Sequence, residues 1–313
     1  MSPPRVVAVV GATATGKTAV AERLARALDA EIVCADSRQV FAELEIGTGR
    51  PTPAERAAWP HHLFGALPLG QPPSAGWYAR AAGEAMAGIH GRGRAALLVG
   101  GSGLYLRAAQ QGLAATPPHD PAVRARLRAE LASAGPEALH ARLAAVDPAG
   151  AARLQPRDRQ RVSRALEVLE ATGHPLAWWH DRTPGPRATS RWNVIEIRIA
   201  PEALRSRIAA RTTAMFDQGL AEETRGLLAA GLGDALRALR AIGYEEADAL
   251  LAGALDRAAA ERRVNERTAQ LAKRQRTWFR HQIEAVRLDA DGIDPDRVAA
   301  MALAALDAPA GRG

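Results

Sequence analysis

Apolar and polar positions along the chain predict strand, loop and helix in turn. Arg5–Val10 is an apolar, β-branched run of strand length. Ala19–Leu28 is rich in Ala, Leu, Glu and Arg, all good helix formers. Glu31–Ala35 reads as a second short strand and Ala95–Val99 as a buried one. Ser74–His90 has helical spacing, and Leu104–Leu106 opens another helix after the tight turn Gly100–Gly103. Strand character resumes at Asn193–Ile199, where Val194, Ile195, Ile197 and Ile199 require at least one buried face.

Between these stretches the pattern is helical. Asp120–Ala134, Pro136–Val146 and Pro156–Thr172 are predicted helices, and in the last Val162, Leu166 and Leu169 form one apolar stripe. Loop-like segments at Gly112–Pro121, containing Pro117-Pro118, and at Thr183–Ser190 bracket them. The organisation expected is an α/β core from residues 1–118 and 190–313, interrupted by an all-helical insertion at 119–189. Pro201–Met215 and Ala221–Ala230 follow as helices, and Asp256–Ile283 is the longest. On it Val264, Leu271 and Trp278 recur as an expected inward stripe, while Lys273, Arg276 and Arg280 share another face. Such a charge run is usually a solvated face. Here the basic excess is one-sided and interleaved with Trp278-Phe279, which favours an RNA-facing surface. The tail Ala308–Gly313 is expected to fray.

Composition narrows the classes. Among 313 residues, 47% are hydrophobic and 24% charged, as in ordinary globular proteins. No apolar run approaches the roughly 18 residues of a membrane span, and the N-terminus lacks a signal-peptide pattern. The single cysteine, Cys34, excludes an internal disulfide framework and a multi-cysteine metal site. Cytoplasm is the expected compartment and a monomer the expected state. The net charge of +7 suits a polyanionic partner, although an Arg-rich composition can produce it without one.

The chemistry concentrates at Gly11–Thr18, GATATGKT, which fits G-x-x-x-x-G-K-[ST] between a strand and a helix. Gly11 and Gly16 allow the tight turn. The backbone N–H groups of Ala12, Thr13, Ala14 and Thr15 and the helix N-terminus present positive charge to an anion. Lys17 would reach the outer phosphate and the Thr18 hydroxyl would ligate Mg²⁺. The loop specifies a phosphate chain without choosing ATP. Asp36 and Ser102 each follow a strand, so both lie at the carboxyl edge of the sheet with the P-loop; alternatively, Asp36 and Ser37 only cap a helix. A Walker-B aspartate is missing: Val99 is followed by Gly100-Gly101. Adjacent His61-His62 cannot both face one point of a strand, so a structural role is expected rather than a metal site.

In order and over nearly the whole chain, several segments resemble the bacterial tRNA dimethylallyltransferases. They are GATATGKT, DSRQVF (36–41), IGTGRP (46–51), HHL (61–63), VGGSGLYL (99–106), DPAGAARLQPRDRQRVSRALEVLEATG (147–173), RTTAMFDQGL (211–220), AIGYEE (241–246) and TAQLAKRQRTWFR (268–280). The resemblance implies a P-loop NTPase-like parallel sheet with a helical insertion, and transfer of a dimethylallyl group from dimethylallyl diphosphate to N6 of the adenosine 3′ of a tRNA anticodon. It implies Asp36 as general base, Ser102 near the scissile oxygen, Lys17 and Arg211 on the diphosphate, and Mg²⁺ as cofactor. It further implies tRNA contacts from Asp36, Ser37, Arg38, Gln39 and Ser102, from Arg124, Gln160, Arg161, Val162, Ser163 and Arg164, and from Arg240, Gly243, Tyr244 and the basic helix. Three departures stand out: Phe41 replaces the usual Tyr, Ser102 the usual Thr, and Gln155-Pro156-Arg157-Asp158 the usual HPND. The competing readings are a small-molecule or nucleotide kinase, an isopentenyltransferase acting on free adenine nucleotides, and a non-enzymatic RNA-binding module.

Overall fold

The computed structural model describes residues 5–71, 73–112, 120–182 and 191–307. Within these bounds the chain runs β1 (Arg5–Val10), α1 (Lys17–Ala27), β2 (Ala30–Cys34), α2 (Pro53–Ala58), β3 (His61–His62), α3 (Ala75–Gly91), β4 (Ala95–Gly100) and α4 (Gly103–Gln111). Helices α5 (Pro121–Val146), α6 (Pro148–Ala151), α7 (Arg159–Thr172) and α8 (Leu176–Arg182) follow. The chain then returns as β5 (Arg191–Arg198), α9 (Pro201–Asp217), α10 (Leu220–Ala229), α11 (Gly233–Leu239), α12 (Tyr244–Leu251), α13 (Arg257–Gln282), β6 (Val286–Asp289) and α14 (Pro295–Asp307). The segments 113–119, 183–190 and 308–313, on which the loop and tail expectations fall, lie outside the described residues.

All six strands are parallel, in the order β3-β2-β4-β1-β5-β6. β1 is central, registered against β4 on one side and β5 on the other. Its Val6–Val10 run is buried because helices cover both faces of a parallel sheet, leaving no solvated face to alternate toward. In β5 even Glu196 is buried, with its carboxylate held by Arg287 at 3.2 Å. The open edge is closed ionically: buried Glu31 accepts from Arg92 at 2.6 Å and pairs with His62 at 2.6 Å. These bonds hold its carboxyl down to about 2, with Arg92 the largest cause. His62 is thus a sheet-edge partner and His61 bonds the Trp59 carbonyl, as structural histidines.

The chain divides into two compact units, residues 1–110 with 188–313, and residues 111–187. The first holds the sheet and its flanking helices. The second has its own apolar cluster of Leu127, Leu139, Leu143, Ala151, Val162, Ala165 and Leu166. Helix α5 breaks at Gly135, whose φ of 84° only glycine adopts readily, so it behaves as the two helices the sequence predicts. Glu170 links Arg126 and Arg142 across α5 and α7.

Candidate functional site

Three loops meet at the carboxyl ends of β1, β2 and β4. The first is Gly11–Gly16. A Cβ at Gly11 would stand 2.5 Å from the Ile197 carbonyl oxygen, and Gly16 has φ 86°, so both positions demand glycine. Thr15 is buried and its hydroxyl donates to the Ala12 carbonyl at 2.9 Å, tightening the turn. The Lys17 ammonium folds back to the same carbonyl at 3.1 Å. Burial lowers its pKa to about 8, with Asp36 opposing and Arg211 adding to the shift.

The second and third loops are laced together. Ala35 N–H donates to the Val99 carbonyl at 2.7 Å, and Ser102 N–H to the Ala35 carbonyl at 3.1 Å. Gly100 is packed so closely that a Cβ would lie 2.1 Å from the Ala35 oxygen. The Ser102 hydroxyl accepts from Ser37 N–H at 2.8 Å, which fixes the turn that carries Asp36. One Asp36 oxygen accepts Arg38 N–H at 2.9 Å, an Asx turn that holds the carboxylate still. No helix follows, since residues 37–40 form a turn and the next helix begins at Pro53, so Asp36 closes a turn rather than capping a helix.

These loops wall a cavity of about 430 Å³ lined by Thr13, Ala14, Lys17, Thr18, Asp36 and Gln39. Arg207 and Arg211 line it from α9 and Thr48–Pro51 from the loop after β2. Arg211 donates to the Thr13 hydroxyl at 3.0 Å and to the Thr48 carbonyl at 3.0 Å. Gln39 donates to the carbonyls of Thr48 and Gly49 at 3.1 and 2.8 Å. Neither Lys17, Arg207 nor Arg211 has a carboxylate within ion-pair distance among the described residues. The wall also carries Glu55, so three cations without carboxylate partners face two carboxylates, Asp36 and Glu55, an arrangement that suits a polyanionic ligand.

The donor set can be tested against Mg²⁺. No cluster of three or more His, Cys, Asp or Glu occurs among the described residues. A hard cation that keeps most of its waters and takes oxygens from a phosphate chain needs no such cluster, and Thr18 with Asp36 in the same wall fits that mode.

A family model described as IPP transferase matches residues 39–282, and one described as Isopentenyl transferase matches residues 4–58. The chain belongs to the IPP transferase family. It is 45% identical over 287 residues, 92% of this chain and 83% of the other, to the tRNA dimethylallyltransferase of Salinispora arenicola. It is likewise 45% identical over 289 residues, 92% of this chain and 94% of the other, to that of Phenylobacterium zucineum. The crystal structure of tRNA isopentenylpyrophosphate transferase from Bacillus halodurans superposes with a TM-score of 0.69 at 31% identity, covering 96% of this chain and 95% of the other. The fold is the P-loop NTPase-like one of this family.

Within that fold the residues expected from sequence divide by place. Lys17, Thr18, Asp36, Gln39 and Arg211 share the cavity. Ser102 stands beside it, holding the Asp36 turn. Lys273 and Arg280 are exposed on α13 and Arg276 is half-buried. Arg124 and Gln160–Arg164 belong to the second unit, where Arg164 pairs with Glu167 at 3.6 Å. Three expected RNA contacts need correction. Val162 is fully buried in the helical core, and Tyr244 is fully buried with its hydroxyl on Glu223. Gly243, also buried, donates its N–H to Glu246 at 2.8 Å, so as a helix cap it is already occupied. Phe279 too is buried, at 1% exposure, so of the aromatic pair on α13 only Trp278 keeps any accessible surface. Phe41, the departure from Tyr, is sealed in the core at 1% exposure, where a hydroxyl would need a buried partner.

Sequence reasoning missed Arg207, Thr48 and Gln275. Arg207 donates to the Thr15 carbonyl at 3.4 Å. Its signal was the spacing to Arg211, four residues on and thus on the same helix face.

Proposed function

We propose that this chain transfers the dimethylallyl group of dimethylallyl diphosphate to N6 of the adenosine 3′ of a tRNA anticodon and releases diphosphate. The observation that carries the reading is the cavity itself: Asp36 faces the P-loop, and Lys17, Arg207 and Arg211 converge without carboxylate partners.

The chemistry follows from that geometry. The bond from C1 to the bridging oxygen breaks and diphosphate takes the electron pair. The N6 lone pair forms the new C–N bond, and the N6 proton passes to Asp36. The departing oxygen needs no acid, because three fixed cations stabilise the developing charge without reorganising. The allylic group spreads positive charge as the bond breaks, so a weak nucleophile suffices. N6–H becomes acidic as its nitrogen gains positive charge, so a carboxylate is a strong enough base, contributing about 10² to 10⁴ in rate. Thr18 would hold Mg²⁺, which when bound would neutralise diphosphate charge. An anticodon loop delivers an adenine at a cost of only a few kcal/mol, since the base is not in a duplex.

The kinase reading lacks a Walker-B aspartate, and the RNA-binding module leaves Asp36 beside a P-loop without use. The test is incubation with labelled dimethylallyl diphosphate and, separately, a synthetic anticodon stem-loop or AMP. Label is expected in the RNA. Label in AMP alone, or γ-phosphate moved from ATP to a small acceptor, would overturn the assignment. Asp36→Asn keeps the acceptor for Arg38 N–H, so single-turnover transfer should fall at least about a hundredfold with both ligand affinities within a few fold.

A further inference from the structure

Helix α13 offers opposite sides to two ligand sites. Lys273 and Arg280 lie on the outer side, across the helix from Gln275, with half-buried Arg276 on the flank between. Its carboxamide bridges two glycine loops. Oε1 accepts Thr13 N–H at 2.9 Å, and Nε2 donates to the Gly101 carbonyl at 3.0 Å. A Cβ at Gly101 would stand 2.3 Å from Nε2, so glycine there lets the amide reach. One turn on, Trp278 covers Gly103 in the same manner, 2.1 Å from where a Cβ would be. Thr13 is held from its other end by Arg211, through the hydroxyl at 3.0 Å. The Thr13 residue therefore joins the diphosphate wall to α13. The Thr13 N–H, expected from the sequence to face an anion, is thus already taken by Gln275, whereas the N–H groups of Ala14 to Lys17 have no protein acceptor among the described residues and are left to hold one.

We propose that Gln275 is a positioning residue that couples the outer face of α13 to the P-loop, so that RNA on that face and diphosphate in the cradle strengthen each other's binding. This rests on the function proposed above. A shift of α13 under an RNA backbone reaches the Thr13 peptide through one hydrogen bond of a rigid amide, whose other bond holds the Gly101 carbonyl. Gln275 is uncharged, so replacing it leaves the charges of both sites in place. Such coupling is reciprocal, and typical couplings change affinity by about 5- to 150-fold.

The experiment measures inorganic diphosphate binding in Mg²⁺ buffer with and without a saturating synthetic anticodon stem-loop, for the wild type and for Gln275→Leu, which keeps the volume and removes both bonds. In the wild type the RNA should tighten diphosphate at least about fivefold. In Gln275→Leu that ratio should fall below about twofold, whatever the diphosphate affinity without RNA. Equal ratios in both proteins, or equal losses with and without RNA, would mean that Gln275 is only a packing residue and overturn the proposal. A wild type that binds both ligands without coupling would also overturn it, leaving the function intact. A wild type that binds neither would overturn the function and the proposal with it. Should the variant fail to fold, hydrogen exchange in the wild type serves: RNA alone should slow exchange across residues 11–18, and an unchanged rate sinks the idea.

Discussion

The Lys17 ammonium spends the free state on the Ala12 carbonyl of its own loop, with burial holding its pKa near 8. A bound diphosphate favours the charged form, so the complex retains the proton to higher pH than the free protein. The sign follows: between the two pKa values, binding takes up a proton, and affinity falls as pH rises above about 8. Lys17→Met should bind more weakly and lack this limb, so subtracting its curve removes the ligand's own ionisation. Parallel affinity curves for the two proteins between pH 7 and 10 would show that Lys17 does not titrate into the site. At this scale the sequence made Lys17 and Asp36 legible, because motifs fix their spacing to a turn. Gln275 was not, because it is a single polar residue in a helix whose partners lie far away in the chain, and Arg207 was signalled only by its spacing to Arg211. Val162 was legible in the other direction: it belongs to the apolar stripe Val162, Leu166 and Leu169, and spacing alone argues against an RNA contact.

Helix α13 shows how an element can be recognised and its rotation still mistaken. The expected inward stripe was Val264, Leu271 and Trp278, yet the buried residues are Ala260, Val264, Ala272 and Phe279. Leu271 and Trp278 are only half-buried, so the buried stripe is rotated from the expected one. Ala272 and Ala260, which carry little apolar signal, let the helix approach closely. The basic face survives this rotation, since Lys273 and Arg280 remain exposed. Reversing Lys273, Arg276 and Arg280 to Glu should weaken stem-loop binding and flatten its salt dependence. Each lost phosphate contact lowers the log–log slope by roughly 0.7 to 0.9. Diphosphate affinity without RNA should stay near wild type. An unaltered salt slope in the triple variant would mark this face as solvated only. The short edge strand β6 and helix α14 escaped the pattern for a different reason: Val286–Asp289 alternates only over four residues, with one buried.

For the molecule as a whole, periodicity gave a parallel α/β core and a helical interruption, while strand order could not be read. That order is set by which crossovers pack, and it places β1 between β4 and β5, so that all three phosphate-side loops meet. The interruption has a separate apolar cluster, with none of its buried members in the core around the sheet. Two cores imply two stabilities. Leu143 is fully buried in the helical cluster, and Leu143→Ala removes three heavy atoms from a packed site, costing about 2 to 5 kcal/mol there. Hydrogen exchange should therefore accelerate across α5 and α7, while the strands of the sheet and residues 11–18 keep wild-type protection. Diphosphate affinity should stay within about twofold, because the cavity draws every wall residue from the first unit. RNA transfer should decline with the helical unit's folded fraction as temperature rises, since the candidate contacts Arg124, Gln160, Arg161, Ser163 and Arg164 lie on it. If exchange rose equally in sheet and insertion, the two cores would unfold as one, and the division of labour between a diphosphate unit and an RNA-contacting unit would have to be abandoned.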